Sequence, residues 1–320
     1  MPLLIKQIVM IKHITLTGID DKTDIKELVR LQKRYPLVEF GVLLSWSQQG
    51  SERRYPSFQT IKAFNEAGLN LSAHVCGSAA RQFAQGETAL LDHIFDQIGT
   101  VRFHRMQLNL AGFPAEKFVP LPTEYGSVKE IILQRINADE FDLFRERLGD
   151  YPSVLLDASG GRGRESAIVP LEGPFKVGYA GGFGPDNIEG KLSFLLGRPE
   201  VGEFWIDMEG RIRSFDWFDI TKAEAVLKKC YKVLLEKNVY PVYDTHNTFY
   251  EGGRKIHLMN EETGRCLCGY EPAFFNEVNL GHPDSPYKST LEYVSQPDPD
   301  GNLCLRCKEI FINRMQRYTL

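Results

Sequence analysis

Up to about Glu236, short apolar runs alternate with segments of helical periodicity, and no other feature of the chain constrains its fold as much. Strands that alternate with helices call for a parallel sheet, because a crossover helix returns each strand to the edge it left. The predicted strands are Ile14–Leu16, Glu39–Leu44, Asn70–Val75, Arg105–Leu110, Glu130–Ile136, Ser153–Asp157, Phe175–Ala180 and Glu203–Asp207. Between them lie amphipathic stretches such as Asp24–Lys33, Ser57–Ala67, Thr88–Gln97, Asp139–Leu148 and Ile220–Glu236. Eight such strands fit a closed (β/α)₈ barrel, although a doubly wound open sheet alternates in the same way.

The composition shifts after Asn238, where leucine-rich periodicity gives way to Pro, Asn, Gly, Tyr and paired cysteines. The expected organisation is therefore an α/β TIM-barrel domain over residues 1–236 and a small zinc-binding module over residues 237–320. At the start of the chain, Lys6, Lys12 and His13 interrupt an apolar stretch whose alternation over Ile11–Thr17 reads as a strand. No run approaches the ~20 apolar residues of a membrane span, so a cytoplasmic protein without membrane partners is expected. A formal charge of −4 provides no global basic field for nucleic acid.

Two strand ends are rich in glycine. In Leu156-Asp157-Ala158-Ser159-Gly160-Gly161 an apolar strand closes on an aspartate before the glycines begin. In Tyr179-Ala180-Gly181-Gly182-Phe183-Gly184-Pro185-Asp186 the glycines precede a helix start. Glycine lets backbone N–H groups approach a ligand closely, and a helix N-terminus favours an anion. Barrel enzymes place phosphate sites and catalytic groups at such C-terminal strand ends. The plainer reading is that these glycines only make tight turns.

These motifs resemble those of phosphoribosylanthranilate isomerase, a barrel enzyme of tryptophan biosynthesis. Its strand-six Leu-Leu-Asp followed by Gly-Gly-x-Gly is similar to Leu155-Leu156-Asp157 with Gly160-Gly161-Arg162-Gly163. Its strand-seven Ala-Gly-Gly-Leu-x-Pro-x-Asn-Val is similar to Ala180-Gly181-Gly182-Phe183-Gly184-Pro185-Asp186-Asn187-Ile188. Weaker echoes are Thr15-Leu16-Thr17-Gly18-Ile19, Ser51-Glu52-Arg53-Arg54-Tyr55-Pro56-Ser57 and Gln107-Leu108-Asn109. The resemblance implies an Amadori rearrangement of a small phosphorylated substrate. It gives Asp157 the part of general acid, and Arg54 (or Arg53) that of holding a substrate carboxylate. Asn109 contributes to binding, while Gly161, Gly181 and Gly182 cradle the phosphate. The chain departs from the family at two places. Thr17 stands where the family has its cysteine base, and strand eight reads Asp207-Met208-Glu209-Gly210-Arg211. Thr17 and Asp207 thus join Asp157 as candidate catalytic residues, and Arg211 joins the candidate binding residues against the repulsion of Glu209. Asp20, and a His74/Cys76 base or nucleophile pair, are further candidates.

Of six cysteines, four fall late, as Cys266-Leu267-Cys268 and Cys304-Leu305-Arg306-Cys307. In a reducing compartment that spacing argues for a tetrahedral metal site rather than disulfides. The expected ligands of a structural zinc ion are His257, Cys268, Cys304 and Cys307, with Cys266 as the alternate; no organic cofactor is expected. Arg306, Lys308, Arg314 and Arg317 make the last segment basic, for which a solvated face is favoured over a nucleic-acid contact. Two functions follow. One is a phosphosugar isomerase or related lyase acting through Asp157. The other is a barrel that binds a phosphorylated ligand or macromolecule without turning it over.

Overall fold

Each predicted strand that the structure describes becomes a strand of one closed barrel. In this computed structural model the described residues are 10–110, 112–120, 122, 124–135, 153–157, 167–170, 176–198, 201–236, 247–252, 255–260, 265–266 and 276–278. The eight parallel strands are β1 (Met10–Thr17), β2 (Val38–Leu44), β3 (Leu71–Val75), β4 (Arg105–Asn109), β5 (Glu130–Arg135), β6 (Ser153–Asp157), β7 (Lys176–Ala180) and β8 (Glu203–Met208). They pair in sequence order, and β8 returns to β1 with Asp207 opposite Thr15, which excludes the open sheet. The helices are α1 (Ile25–Arg34), α2 (Phe58–Glu66), α3 (Gly77–Ala84), α4 (Ala89–Ile98), α5 (Ile188–Leu196) and α6 (Ile220–Glu236).

Local chemistry explains where these elements stop and start. Asp24 and Ser57, read from sequence as the first residues of two helices, are their N-caps. Their side chains accept from the backbone N–H groups of Lys26 and Thr60, which satisfies donors that the first turn leaves open. The closing helix α6 is held to α1 by paired groups as well as by its buried face. Arg30 donates to both carboxylate oxygens of Glu224, at 3.1 and 2.8 Å, and the Tyr231 hydroxyl accepts from Leu37 N at 3.0 Å.

The barrel interior is polar where such interiors are usually filled by branched apolar side chains. Arg105 donates to Glu39 and Glu130, each at 3.0 Å, and its guanidinium lies 4.3 Å from the Trp205 ring centre. Thr15 donates to Glu39 at 2.9 Å and Ser153 to Glu130 at 2.6 Å. Burial works against the charge of Glu39, yet Arg105 and His13 outweigh it and hold the carboxyl below its usual range. Ile132, Leu155 and Trp205 form an apolar plug. Gly178 makes room for it, because a Cβ there would meet the Trp205 ring at 2.1 Å.

The chain divides into two compact units, Met1–Val233 and Leu234–Leu320. Within the second, β11 (Asn247–Gly252), β12 (Lys255–Asn260), β13 (Arg265–Cys266) and β14 (Asn276–Val278) form an antiparallel sheet in the order β13-β12-β11-β14. Cys266 pairs with Met259, two residues along β12 from His257. Gly161, the stretch 139–148, Cys268, Cys304 and Cys307 lie outside the described residues. No helix among the described residues is long and apolar enough to cross a membrane.

Candidate functional site

Parallel strands present their C-terminal ends at one mouth of the barrel, and the residues there converge on one open cleft. Its volume is about 480 Å³, solvent at the opening included. Thr17, Asn109, Asp157, Gly181, Gly182 and Asp207, all expected from the sequence, line it. So do His74, Gln107, Gln134 and Glu209.

The base of the cleft is a set of buried side chains held by short contacts. Thr17 Oγ1 donates to Asp207 Oδ1 at 2.6 Å. Gly41 on β2 makes this possible, because a Cβ there would lie 2.4 Å from Thr17 Oγ1 and 2.9 Å from His74 Nε2. Burial pushes the Asp207 carboxyl up to about 8; the Thr17 hydroxyl opposes the shift, while Glu209 and Asp157 add to it. Asp207 therefore carries a proton at neutral pH. Gln134 Nε2 donates to Asp157 Oδ2 at 2.7 Å from the neighbouring strand.

His74 and Cys76 do not form the expected base–nucleophile pair. Burial lowers the imidazole to about 4 and raises the thiol to about 12, so both are neutral near pH 7. Their side chains also turn to different partners. His74 Nε2 lies 3.1 Å from Ser72 Oγ, whereas Cys76 Sγ accepts from Asn109 Nδ2 at 3.0 Å. Asp20 is structural: its Oδ2 accepts from Arg213 Nη2 at 2.9 Å and from Phe218 N at 2.6 Å.

Beyond Glu209 the chain forms a hairpin, β9 (Arg213–Ser214) and β10 (Trp217–Phe218), that sequence patterning missed because its strands are two residues each. Arg54, expected to hold a substrate carboxylate, instead donates Nη1 to Glu209 Oε1 and Nε to Asp216 Oδ1, both at 2.7 Å. Arg53 donates to Phe215 O at 3.0 Å. The repulsive charge of Glu209 is thus matched by Arg54 of the β2–α2 loop, with Arg213 adding to it. Glu209 remains raised above the usual carboxylate range, mainly by burial and against the pull of Arg54.

The Gly181–Gly184 turn, which follows β7, contributes Gly181, Gly182 and Phe183 to the lining. Both Gly181 and Gly182 have positive φ, which other residues rarely adopt. Lys191 Nζ donates to Gly181 O at 2.9 Å, and Arg211 Nη1 to Gly182 O at 3.2 Å. Arg211 also pairs with Asp186. Asn187 accepts from Gly184 N and donates to Gly182 O, both at 2.9 Å, which closes the turn onto α5.

The chain is distantly similar in structure to phosphoribosylanthranilate isomerase. The enzyme from Pyrococcus furiosus is 13% identical with a TM-score of 0.43, over 69% of this chain and 98% of that one. A phosphoribosyl anthranilate isomerase in complex with reduced 1-(o-carboxyphenylamino)-1-deoxyribulose 5-phosphate is 12% identical with a TM-score of 0.40, over the same shares. No family model matches the sequence, and no curated protein matches it.

Among the cleft residues, Gln134 was missed in the sequence. Its one signal is parity: it is a polar residue two positions from another inward-facing residue of the same strand.

Proposed function

We propose that the barrel mouth catalyses an acid–base isomerisation of a small phosphorylated sugar compound, of the Amadori type that the sequence motifs suggest. The observation that carries this reading is the convergence of Asp157, Asp207 and Thr17 on one cleft that the Gly181–Gly182 turn also lines. Two carboxyl groups are needed, one to give a proton and one to take one.

The resemblance assigns the acid to Asp157, but the surroundings favour Asp207, which holds its proton to about pH 8. In this reading Asp207 protonates the furanose ring oxygen of a glycosylamine. The C1–O bond breaks as the nitrogen lone pair forms the C1=N bond. Asp157 then removes the C2 proton, and the resulting enaminol becomes the aminoketone. Thr17 is a positioning residue that orients the Asp207 carboxyl, since an unactivated hydroxyl is no base at neutral pH. Gly181 and Gly182, with Arg211 beside them, hold the phosphate near the start of α5.

A second reading, in which the barrel binds such a ligand without turnover, draws on the pairing of Arg54 with Glu209. One experiment separates them. Phosphoribosyl compounds are screened by thermal shift, and turnover of each hit is followed with Asp157→Asn and Asp207→Asn. Loss of turnover in both variants with binding retained is expected. Turnover unaffected by either change sinks the isomerase, and binding without turnover favours the second reading.

We further propose a structural zinc ion in the second unit, held by His257, Cys268, Cys304 and Cys307 with Cys266 as alternate. The register that sets Cys266 opposite Met259, two residues along β12 from His257, is consistent with the set that uses Cys266. Stoichiometric zinc that is lost in Cys304→Ser and Cys307→Ser is expected on metal analysis; its absence from the intact protein refutes the site.

A further inference from the structure

The described lining of the cleft is rich in acceptors and contributes no cationic side chain. Three carboxyl groups line it, those of Asp157, Asp207 and Glu209, while among the described residues lining it there is no lysine or arginine. The guanidinium of Arg54 is bonded to Glu209 and Asp216, and that of Arg211 to Gly182 O and Asp186.

An independent feature points the same way. Gln107 is 2% exposed and lines the cleft, yet its Oε1 meets no donor among the described residues. The orientation of its amide is set by its neighbours. Gln107 Nε2 donates to Asn109 Oδ1 at 2.9 Å, and Asn109 in turn donates to Cys76 Sγ at 3.0 Å. Turning the amide over would set oxygen against oxygen at Asn109. A buried acceptor left without a donor is costly, and a ligand hydroxyl or amine would complete it.

We propose that this cleft selects a donor-rich, uncharged or cationic head group, a polyol or an amino-polyol, with Gln107 Oε1 as its dedicated acceptor and Glu209 excluding a carboxylate. The proposal rests on the isomerase reading for the phosphate at the other end of the ligand. Glu209 fills, as an internal carboxylate, the place that a substrate anion would take on Arg54. The same residue thereby repels a second anion, so discrimination comes from a built-in repulsion as well as from attraction. Hydroxyl or ammonium hydrogens find acceptors at Gln107 and Asp157, and a carboxylate offers them none.

The test is equilibrium binding to the full-length protein by calorimetry, with three probes that differ at one carbon: ribitol 5-phosphate, 1-amino-1-deoxyribitol 5-phosphate and ribonate 5-phosphate. Ribitol and aminoribitol phosphates are expected to bind at least tenfold more tightly than ribonate phosphate. Gln107→Leu should weaken the first two about tenfold. Glu209→Gln, nearly isosteric and so the safer variant for folding, removes the carboxylate charge from Arg54 Nη1 and should tighten ribonate phosphate at least tenfold. Equal affinity for ribitol and ribonate phosphates, an unchanged ribonate affinity in Glu209→Gln, or no binding of any probe overturns the proposal. Because binding is read without turnover, an intact ranking in a protein that converts no phosphosugar would refute the isomerase and leave the selectivity standing.

Discussion

Asp207 shows how one residue's surroundings decide what it can do. An aspartate in an unfolded chain titrates near 4, whereas burial raises this one to about 8. Between those values the folded state holds a proton that the unfolded state has lost. Its contribution to stability is therefore complete below about pH 4 and is lost as pH rises towards 8. Asp207→Asn keeps a neutral side chain at that place. It should remove much of the alkaline loss, by at least the ~1.4 kcal/mol that corresponds to one pKa unit, while abolishing turnover; melting temperature followed from pH 4 to 8 reads the first effect. His74 titrates in the opposite sense: its pKa is lowered to about 4, so the stability it brings is lost as pH falls from about 6.5. Gly41 is equally specific. Gly41→Ala puts a methyl group 2.4 Å from Thr17 Oγ1, which should cost about 1–3 kcal/mol and break the Thr17–Asp207 contact. Unchanged stability by chemical denaturation would show that β1 and β2 can move apart.

At the scale of elements, the β9–β10 hairpin and the strands of the barrel carry different kinds of cost. Phe215 and Asp216 both sit at positive φ in the two-residue turn, where Asn and Gly are preferred. Phe215 is also 92% exposed, so its ring gains little from packing. The turn is held from outside, by Arg53 on the Phe215 carbonyl and Arg54 on the Asp216 carboxylate. Phe215→Asn should raise stability by about 0.5–1 kcal/mol, seen as a higher melting temperature; a decrease would mean that the aromatic ring is packed in solution. Inside the barrel, Arg105 joins β2, β4 and β5 through Glu39 and Glu130. Arg105→Met would strand a buried Glu39 carboxylate, with an expected loss of about 3–5 kcal/mol. Recovery in the double variant Arg105→Met with Glu39→Gln is the check, because removing both charges removes the penalty for burying one alone.

For the whole molecule, ring closure is the decisive event. Pairing of β8 with β1 brings Asp207 beside Thr17, which lies 190 residues away in sequence. Docking α6 on α1 closes the outer layer. A fragment ending at residue 236 should therefore keep the barrel's circular dichroism and a single cooperative thermal transition; a fragment without either would show that the barrel depends on the residues beyond. The alternation of strands and helices, the caps Asp24 and Ser57, and the glycines at two strand ends were legible in the sequence, because local propensity and period are written residue by residue. So was the presence of Asp157 and Asp207 at strand ends. The sequence by itself did not decide between a closed and an open sheet, since both need the same alternation. Nor did it show that Arg54 would spend its charge on Glu209 and Asp216, or that Gln107 would be left with an unmet acceptor. Those outcomes depend on which groups ring closure brings within hydrogen-bonding reach and how far it shuts out water. Only the tertiary structure sets that distance and that burial.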